Sequence, residues 1–109
     1  MQSFTITLAD TNVHNLKDLI QAADALKANP VGADLICEYR TLQLLADKAN
    51  TDVIGIGGSD LTDLIFSEQL AAGELRYYDI QPLGSPVFAK EIYVKAKAAN
   101  QILHIEGTL

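Results

Sequence analysis

The chain has 109 residues, 49% hydrophobic and 20% charged, with a net charge of −6. That length makes a single domain spanning residues 1–109 that can bury a core without disulfides or metals, and the hydrophobic share excludes disorder. Fourteen acidic residues against eight basic ones repel phosphate backbones, so nucleic acid is excluded as the primary partner.

The chain opens with Phe4, Ile6 and Leu8 alternating with Ser3, Thr5 and Thr7. A period of two with β-branched residues predicts a half-buried strand. These first residues carry neither a basic region nor a long apolar run, which predicts no signal peptide. No window of the chain approaches roughly eighteen uninterrupted apolar residues, which predicts no membrane span and synthesis in the cytoplasm. After a break at Asp10-Thr11-Asn12, Leu16, Leu19, Ile20, Ala23 and Leu26 fall at helical spacing, with Lys17, Asp18, Gln21 and Asp24 opposite. Asn15 fits the N-cap, Asp18 stands where a capping-box acid would, and Asn29-Pro30 ends the run. One amphipathic helix over about residues 15–27 follows.

Beyond Gly32 every segment reads as a short strand. Ile36 to Ala46 alternates with Ile36, Leu42 and Leu44 on one face, interrupted by Glu38 and Arg40, which sets its first half near a sheet edge. Val53 to Gly57 forms the next strand, then a short apolar piece at Leu64-Ile65-Phe66. A turn over Leu70 to Glu74 places Gly73 where positive φ is free. Leu75 to Ile80 is a strand, followed by a break through Pro82 and Pro86. Lys90 to Ala98 alternates Ile92, Val94 and Ala96 against Glu91, Tyr93, Lys95 and Lys97; a turn at Ala99-Asn100-Gln101 leads into Ile102, Leu103 and Ile105. Strands recurring every roughly eight to twelve residues predict a sandwich or a small barrel, with the helix over an end or a face.

The run Ile54-Gly55-Ile56-Gly57-Gly58-Ser59-Asp60 raises the question of phosphate binding. A dinucleotide fingerprint would need glycine where Asp60 stands, and a P-loop would end in Gly-Lys-Ser/Thr. Asp60 and Asp63 would also oppose a phosphate, so the glycines are assigned to turning one strand into the next. Asp60, Asp63 and Glu68 lack the spacing of a calcium loop. His14 and His104 have no metal-ligand partner at the usual spacing, and His104 is expected to face away from Leu103 and Ile105. Ser59, Ser67, Ser85 and Cys37 have no indicated base beside them, and Glu38, Glu74 and Glu91 form no marked acid–base pair. No catalytic, metal-binding or cofactor-binding residue is assigned. The single cysteine, Cys37, reads as a small buried hydrophobe in a reducing compartment.

An interaction surface is the better-supported expectation. One of the consecutive residues Tyr77 and Tyr78 must face away from the core. Leu83, Pro86, Val87 and Phe88 form an apolar, proline-bearing segment that either presents anchors to a partner or folds back over the open end of the sandwich.

The run Leu42 to Thr51, then Val53 to Asp60 ending in Gly-Gly-Ser-Asp, then Leu70-Ala71-Ala72-Gly73-Glu74 and Ile92-Tyr93-Val94-Lys95-Ala96, resembles a group of small tailed-bacteriophage virion proteins. The resemblance covers the C-terminal two-thirds of the chain. It implies a jelly-roll-like antiparallel β-sandwich that decorates or cements the outer capsid surface; with the helix read from the periodicity, the fold class is mainly β with one amphipathic helix. It further implies a homo-oligomer, a trimer being favoured, located on the virion. The implied partner is the major capsid protein or another virion protein, with no cofactor. The partner-interface residues, chosen for their expected exposure, are Phe4, Tyr78, Leu83, Pro86, Val87 and Phe88, with the N-terminal strand free to pair with a neighbour's edge. A head-fibre, neck or tail module shares these features. A small cupin-like sugar-binding protein or enzyme is the alternative from another class, and would need His, Glu or Tyr facing into the barrel.

Overall fold

The computed structural model describes residues 2–61, 68–79 and 86–109. The opening alternation becomes β1 (Gln2–Leu8), with Phe4, Ile6 and Leu8 buried and Ser3, Thr5 and Thr7 exposed. A short β2 (His14–Asn15) runs directly into α1 (Leu16–Ala25). The Asn15 side chain caps that helix by accepting the Lys17 N–H at 3.0 Å, and its amide donates to the Lys90 carbonyl at 2.7 Å. One residue thus starts the helix and ties it to a segment 75 positions away. Leu16 and Ile20 are buried, and Leu19 and Ala23 pack partly against the core.

Two helix positions depart from the expected stripe. Leu26 lies beyond the last helical residue and is 89% exposed. Asp24, expected on the polar face, is buried because its carboxylate accepts the N–H groups of Val31 at 3.1 Å and Gly32 at 2.9 Å. Those two donors hold its carboxyl below the ordinary value. Gly32 sits at φ +76, a conformation glycine adopts without strain.

A 3₁₀ turn at Gly32–Asp34 leads to β3 (Glu38–Tyr39) and β4 (Thr41–Ala46). Then come β5 (Ile54–Gly57), β6 (Glu68–Leu70), β7 (Leu75–Asp79) and β8 (Val87–Phe88). A second 3₁₀ turn at Ala89–Glu91 precedes β9 (Tyr93–Ala96) and β10 (Gln101–Thr108). One antiparallel sheet has the order β1-β10-β4-β7 and the other β2-β9-β5-β6, with β3 and β8 paired separately. The chain passes directly from one four-stranded sheet to the other between β1 and β2, β4 and β5, β6 and β7, and β9 and β10, and by way of β3 and β8 between β2 and β4 and between β7 and β9. Their inner faces share one core that includes Leu8, Leu42, Leu44, Ile54, Val94 and Leu103. This is a jelly-roll-like β-sandwich with one helix.

The expected continuous strand from Ile36 to Ala46 is broken at Arg40. Leu35, Cys37 and Tyr39 are buried before the break, and Leu42, Leu44 and Ala46 after it, so the alternation shifts by one residue. Ile36 therefore faces outward, 54% exposed, rather than sharing a face with Leu42. The Arg40 N–H donates to the Thr108 carbonyl at 2.8 Å, which anchors the kink. The apolar piece Leu64-Ile65-Phe66, the sequence Ile80 to Ser85 and hence Leu83 lie outside the described residues.

The predicted turns use their residues as expected at two places. Gly73 sits at φ +82 with its N–H donating to the Ala46 carbonyl at 2.9 Å, and Asn100 sits at φ 65 with its N–H on the Leu8 carbonyl at 2.7 Å. Gln101, buried in the neighbouring strand, accepts the N–H groups of Thr51 and Asp52 and donates to the Ala99 carbonyl, so it fixes the loop before β5. No helix among the described residues is long and apolar enough to cross a membrane.

Candidate functional site

Tyr78, Pro86, Val87 and Phe88 come together at one end of the sandwich. With Arg76, Glu91 and Ile92 they line a concavity of about 320 Å³. Arg76, Tyr78, Glu91 and Ile92 also line a neighbouring one of about 360 Å³, completed by Ile56, Gly57, Gly58 and Glu68. Local pairing places the segment: β8 pairs with β3, setting Val87 opposite Tyr39 and Phe88 opposite Glu38. The Ala89 N–H donates to the Cys37 carbonyl at 3.1 Å, and the Leu16 N–H to the Ile92 carbonyl at 2.8 Å, so helix, β3 and the 3₁₀ turn hold the rim.

The side chains at this end fall into two kinds. Val87 is 4% exposed and belongs to the floor, not to an exposed anchor. Pro86 is exposed, and Phe88 and Tyr78 are half-buried. Tyr78 packs partly against the core and its burial raises the phenol's pKa, while the more exposed neighbour is Tyr77. The Arg76 guanidinium lies over the Tyr78 ring, 4.6 Å from its centroid. Its Nε stands 2.7 Å from Glu68 Oε2 as an ion pair whose N–H is not aligned on that oxygen. Because β6 and β7 belong to opposite sheets, this pair bridges the sandwich end. Both side chains are two-fifths exposed, so the pair adds little stability and its groups stay accessible to a ligand.

Phe4 stands apart from this end. It is 5% exposed, a core residue of β1, because the alternation that makes the strand turns it inward. Its ring does line a second depression, a groove of about 510 Å³ between β1 and α1, where the Lys27 ammonium lies 4.1 Å from its centroid. The interface residues expected from sequence thus divide: Tyr78, Pro86, Val87 and Phe88 share one site, Phe4 lines another, and Leu83 lies outside the described residues.

A hydroxyl–imidazole–carboxylate chain also forms that sequence reasoning missed. Thr5 Oγ1 is 3.1 Å from His104 Nδ1, and His104 Nε2 is 2.8 Å from Asp47 Oδ1. It spans β1, β10 and the end of β4, partners separated by 99 and 57 positions. The groups are those of a nucleophile, base and orienting acid. They lie, however, on the outer sheet face, with Thr5 exposed and His104 a third exposed, where water reaches every member. The arrangement acts as a cross-strand tie. The imidazole contact, followed by the Ala49 N–H, holds the Asp47 carboxyl below its ordinary value.

The glycine cluster contains no left-handed backbone. Gly55 and Gly57 lie within β5, paired with Lys95 and Tyr93 of β9, and Gly58 opens the turn that closes with the Leu61 N–H on its carbonyl at 3.1 Å. Glu68 is engaged with Arg76, His14 Nε2 lies 2.7 Å from Asp10, and no group of three or more metal-binding side chains forms among the described residues. Set against protein-family models, curated proteins and solved structures, the chain gives no significant match to any.

Proposed function

We propose that the protein is a non-enzymatic structural component of a tailed-phage virion, a capsid decoration protein that docks on the outer shell and stabilises it. The observation that carries the reading is the convergence of Tyr78, Pro86 and Phe88 with Arg76 at one end of the sandwich. Aromatic and arginine side chains over an apolar floor are the usual anchors of protein interfaces. The segments that carry the resemblance support it from another side, since they form β4, β5, the Gly73 turn and β9, elements of both sheets. A cement protein acts by mass action: surface buried across neighbouring subunits favours the intact shell. Trimeric placement makes each weak contact multivalent.

The test has two parts. Light scattering should give a molar mass three times the 11.8 kDa of the chain. Co-sedimentation with capsids lacking the protein should saturate, and Phe88→Ala should weaken it while leaving the melting temperature within a few degrees. Protein that stays in the supernatant at every concentration overturns the reading.

One observation favours a second reading. The Phe88 ring, with Glu68, Glu91 and Arg76 around the two joined concavities, forms a surface suited to a sugar, whose hydroxyls need acceptors and whose C–H faces stack on rings. A glycan array with saturable binding to one sugar class would favour it over capsid docking. The cupin-like version loses support, because the space between the sheets is filled by the apolar core.

A further inference from the structure

The groove between β1 and α1 has two walls of different kinds. One wall is the strand edge itself, Ser3 through Thr7. β1 is an outer strand, hydrogen-bonded to β10 alone, and among the described residues Ser3 to Thr7 make no backbone bond on the other side. The other wall is a helical stripe, Leu19, Ala22 and Ala23, whose spacing of three and four sets it on one face, continued by Leu26 just past the helix end. It continues past the residues that pack into the core and ends at the 89% exposed Leu26.

Exposed edges are normally protected by charge, proline, a bulge or shortness. The remaining outer strands are: β7 carries Arg76 and Asp79, β6 has three residues including Glu68, and β2 has two. β1 has seven residues, Gln2 to Leu8, with no charge, proline or glycine among them. Lys27 is the sole charge in the groove lining.

We propose that this groove receives one extended segment of a partner protein, which adds to β1 as a fifth strand antiparallel to it. The segment is uncharged through its middle, alternates apolar with small polar residues, and is acidic at its C-terminal end. Each property follows from a wall. The edge supplies backbone partners, and the stripe takes apolar side chains from one face of the added strand. Antiparallel pairing brings the segment's C-terminal end to the start of β1, beside Phe4 and Lys27. The β1 strand of a second copy does not fit, because it already buries Phe4 and Ile6 in its own core and has no side chains to place under the helix. The inference stands apart from the virion reading and holds whichever protein supplies the segment.

The experiment is an NMR titration of the isotope-labelled protein with an acetylated, amidated heptapeptide, Thr-Val-Thr-Leu-Thr-Val-Asp. Saturable shifts are expected in the β1 amides and in the methyls of Leu19, Ala22 and Leu26. Ala22→Trp fills the groove from an exposed position and should weaken binding about tenfold or more, as should a lysine in place of the peptide's aspartate. Leu26→Ser, at a fully surface position, should weaken it too. Four results would overturn the proposal: no saturable shift at millimolar peptide, shifts centred elsewhere, variants that titrate like the parent, or β1 shifts that depend on protein concentration without peptide.

Discussion

The ring of Tyr39 lies against the backbone of Gly107, and a β-carbon at that position would overlap Cδ1 and Cε1 of the ring. Tyr39 is 1% exposed, and its hydroxyl donates to Gln2 Oε1 at 2.9 Å, so the ring cannot swing aside without losing that bond. The contact joins β3 to the end of β10, and β10 is the strand on which both β1 and β4 register. Gly107→Ala should therefore destabilise by about 1–3 kcal/mol, the usual range for overpacking. Denaturant unfolding measures it, and a midpoint equal to the parent's would show that the ring moves freely.

Glycines that look alike in sequence should respond differently. Gly73 sits at φ +82, where any side chain is strained, whereas a β-carbon on Gly58 meets only the movable Asp60 carboxylate at 3.3 Å. Gly73→Ala should cost about 1–2 kcal/mol and Gly58→Ala distinctly less. Thermal unfolding of the two variants ranks them, and the reverse order would contradict the assignment of the turn.

Acid should unfold the protein partly through Asp24. Its carboxyl titrates below the ordinary 3.8 because the Gly32 and Val31 N–H groups favour the charged form. A group whose folded value is depressed contributes stability that is present above the unfolded value and lost as pH falls through the folded one. The loss from Asp24 therefore comes below 3.8. Asp24→Asn removes one acceptor and turns an amide N–H on a backbone donor, so its stability should be lower at neutral pH and decline less steeply in acid. Unfolding midpoints taken from pH 7 downward test this, and parallel curves for parent and variant would sink it.

Cys37 should be inert in the native protein. Burial pushes its thiol up from 9.0, and 8% exposure leaves little access. A thiol reagent at neutral pH should label it only as fast as the protein opens, with full labelling in denaturant. Rapid stoichiometric labelling in buffer would place the residue at the surface.

What was legible in the sequence is what depends on near neighbours. Phe4, Ile6 and Leu8 declared their strand by alternation, Asn15 its cap, and Gly73 its turn. The one-residue shift at Arg40 was not legible, since it depends on the Thr108 carbonyl 68 positions on. Asp24 looked like a surface acid because its donors lie past the helix end, and the Thr5–His104–Asp47 tie needs three separate strands to be adjacent. At the candidate site, the apolar run Pro86-Val87-Phe88 and Tyr78 were visible as residue types. Their joining with Arg76 and Glu91 follows from the pairing of β8 with β3, which local pattern does not specify. Phe4 shows the limit of reading exposure from type, because the same alternation that names the strand also turns that ring inward.

The most direct measurement of the central claim is electron cryomicroscopy of capsids lacking the protein, imaged with and without saturating amounts of it. The account predicts added density at regular positions on the outer capsid surface, fitted by this sandwich with the end bearing Tyr78, Pro86 and Phe88 toward the shell. Capsids that look identical with and without the protein would contradict it.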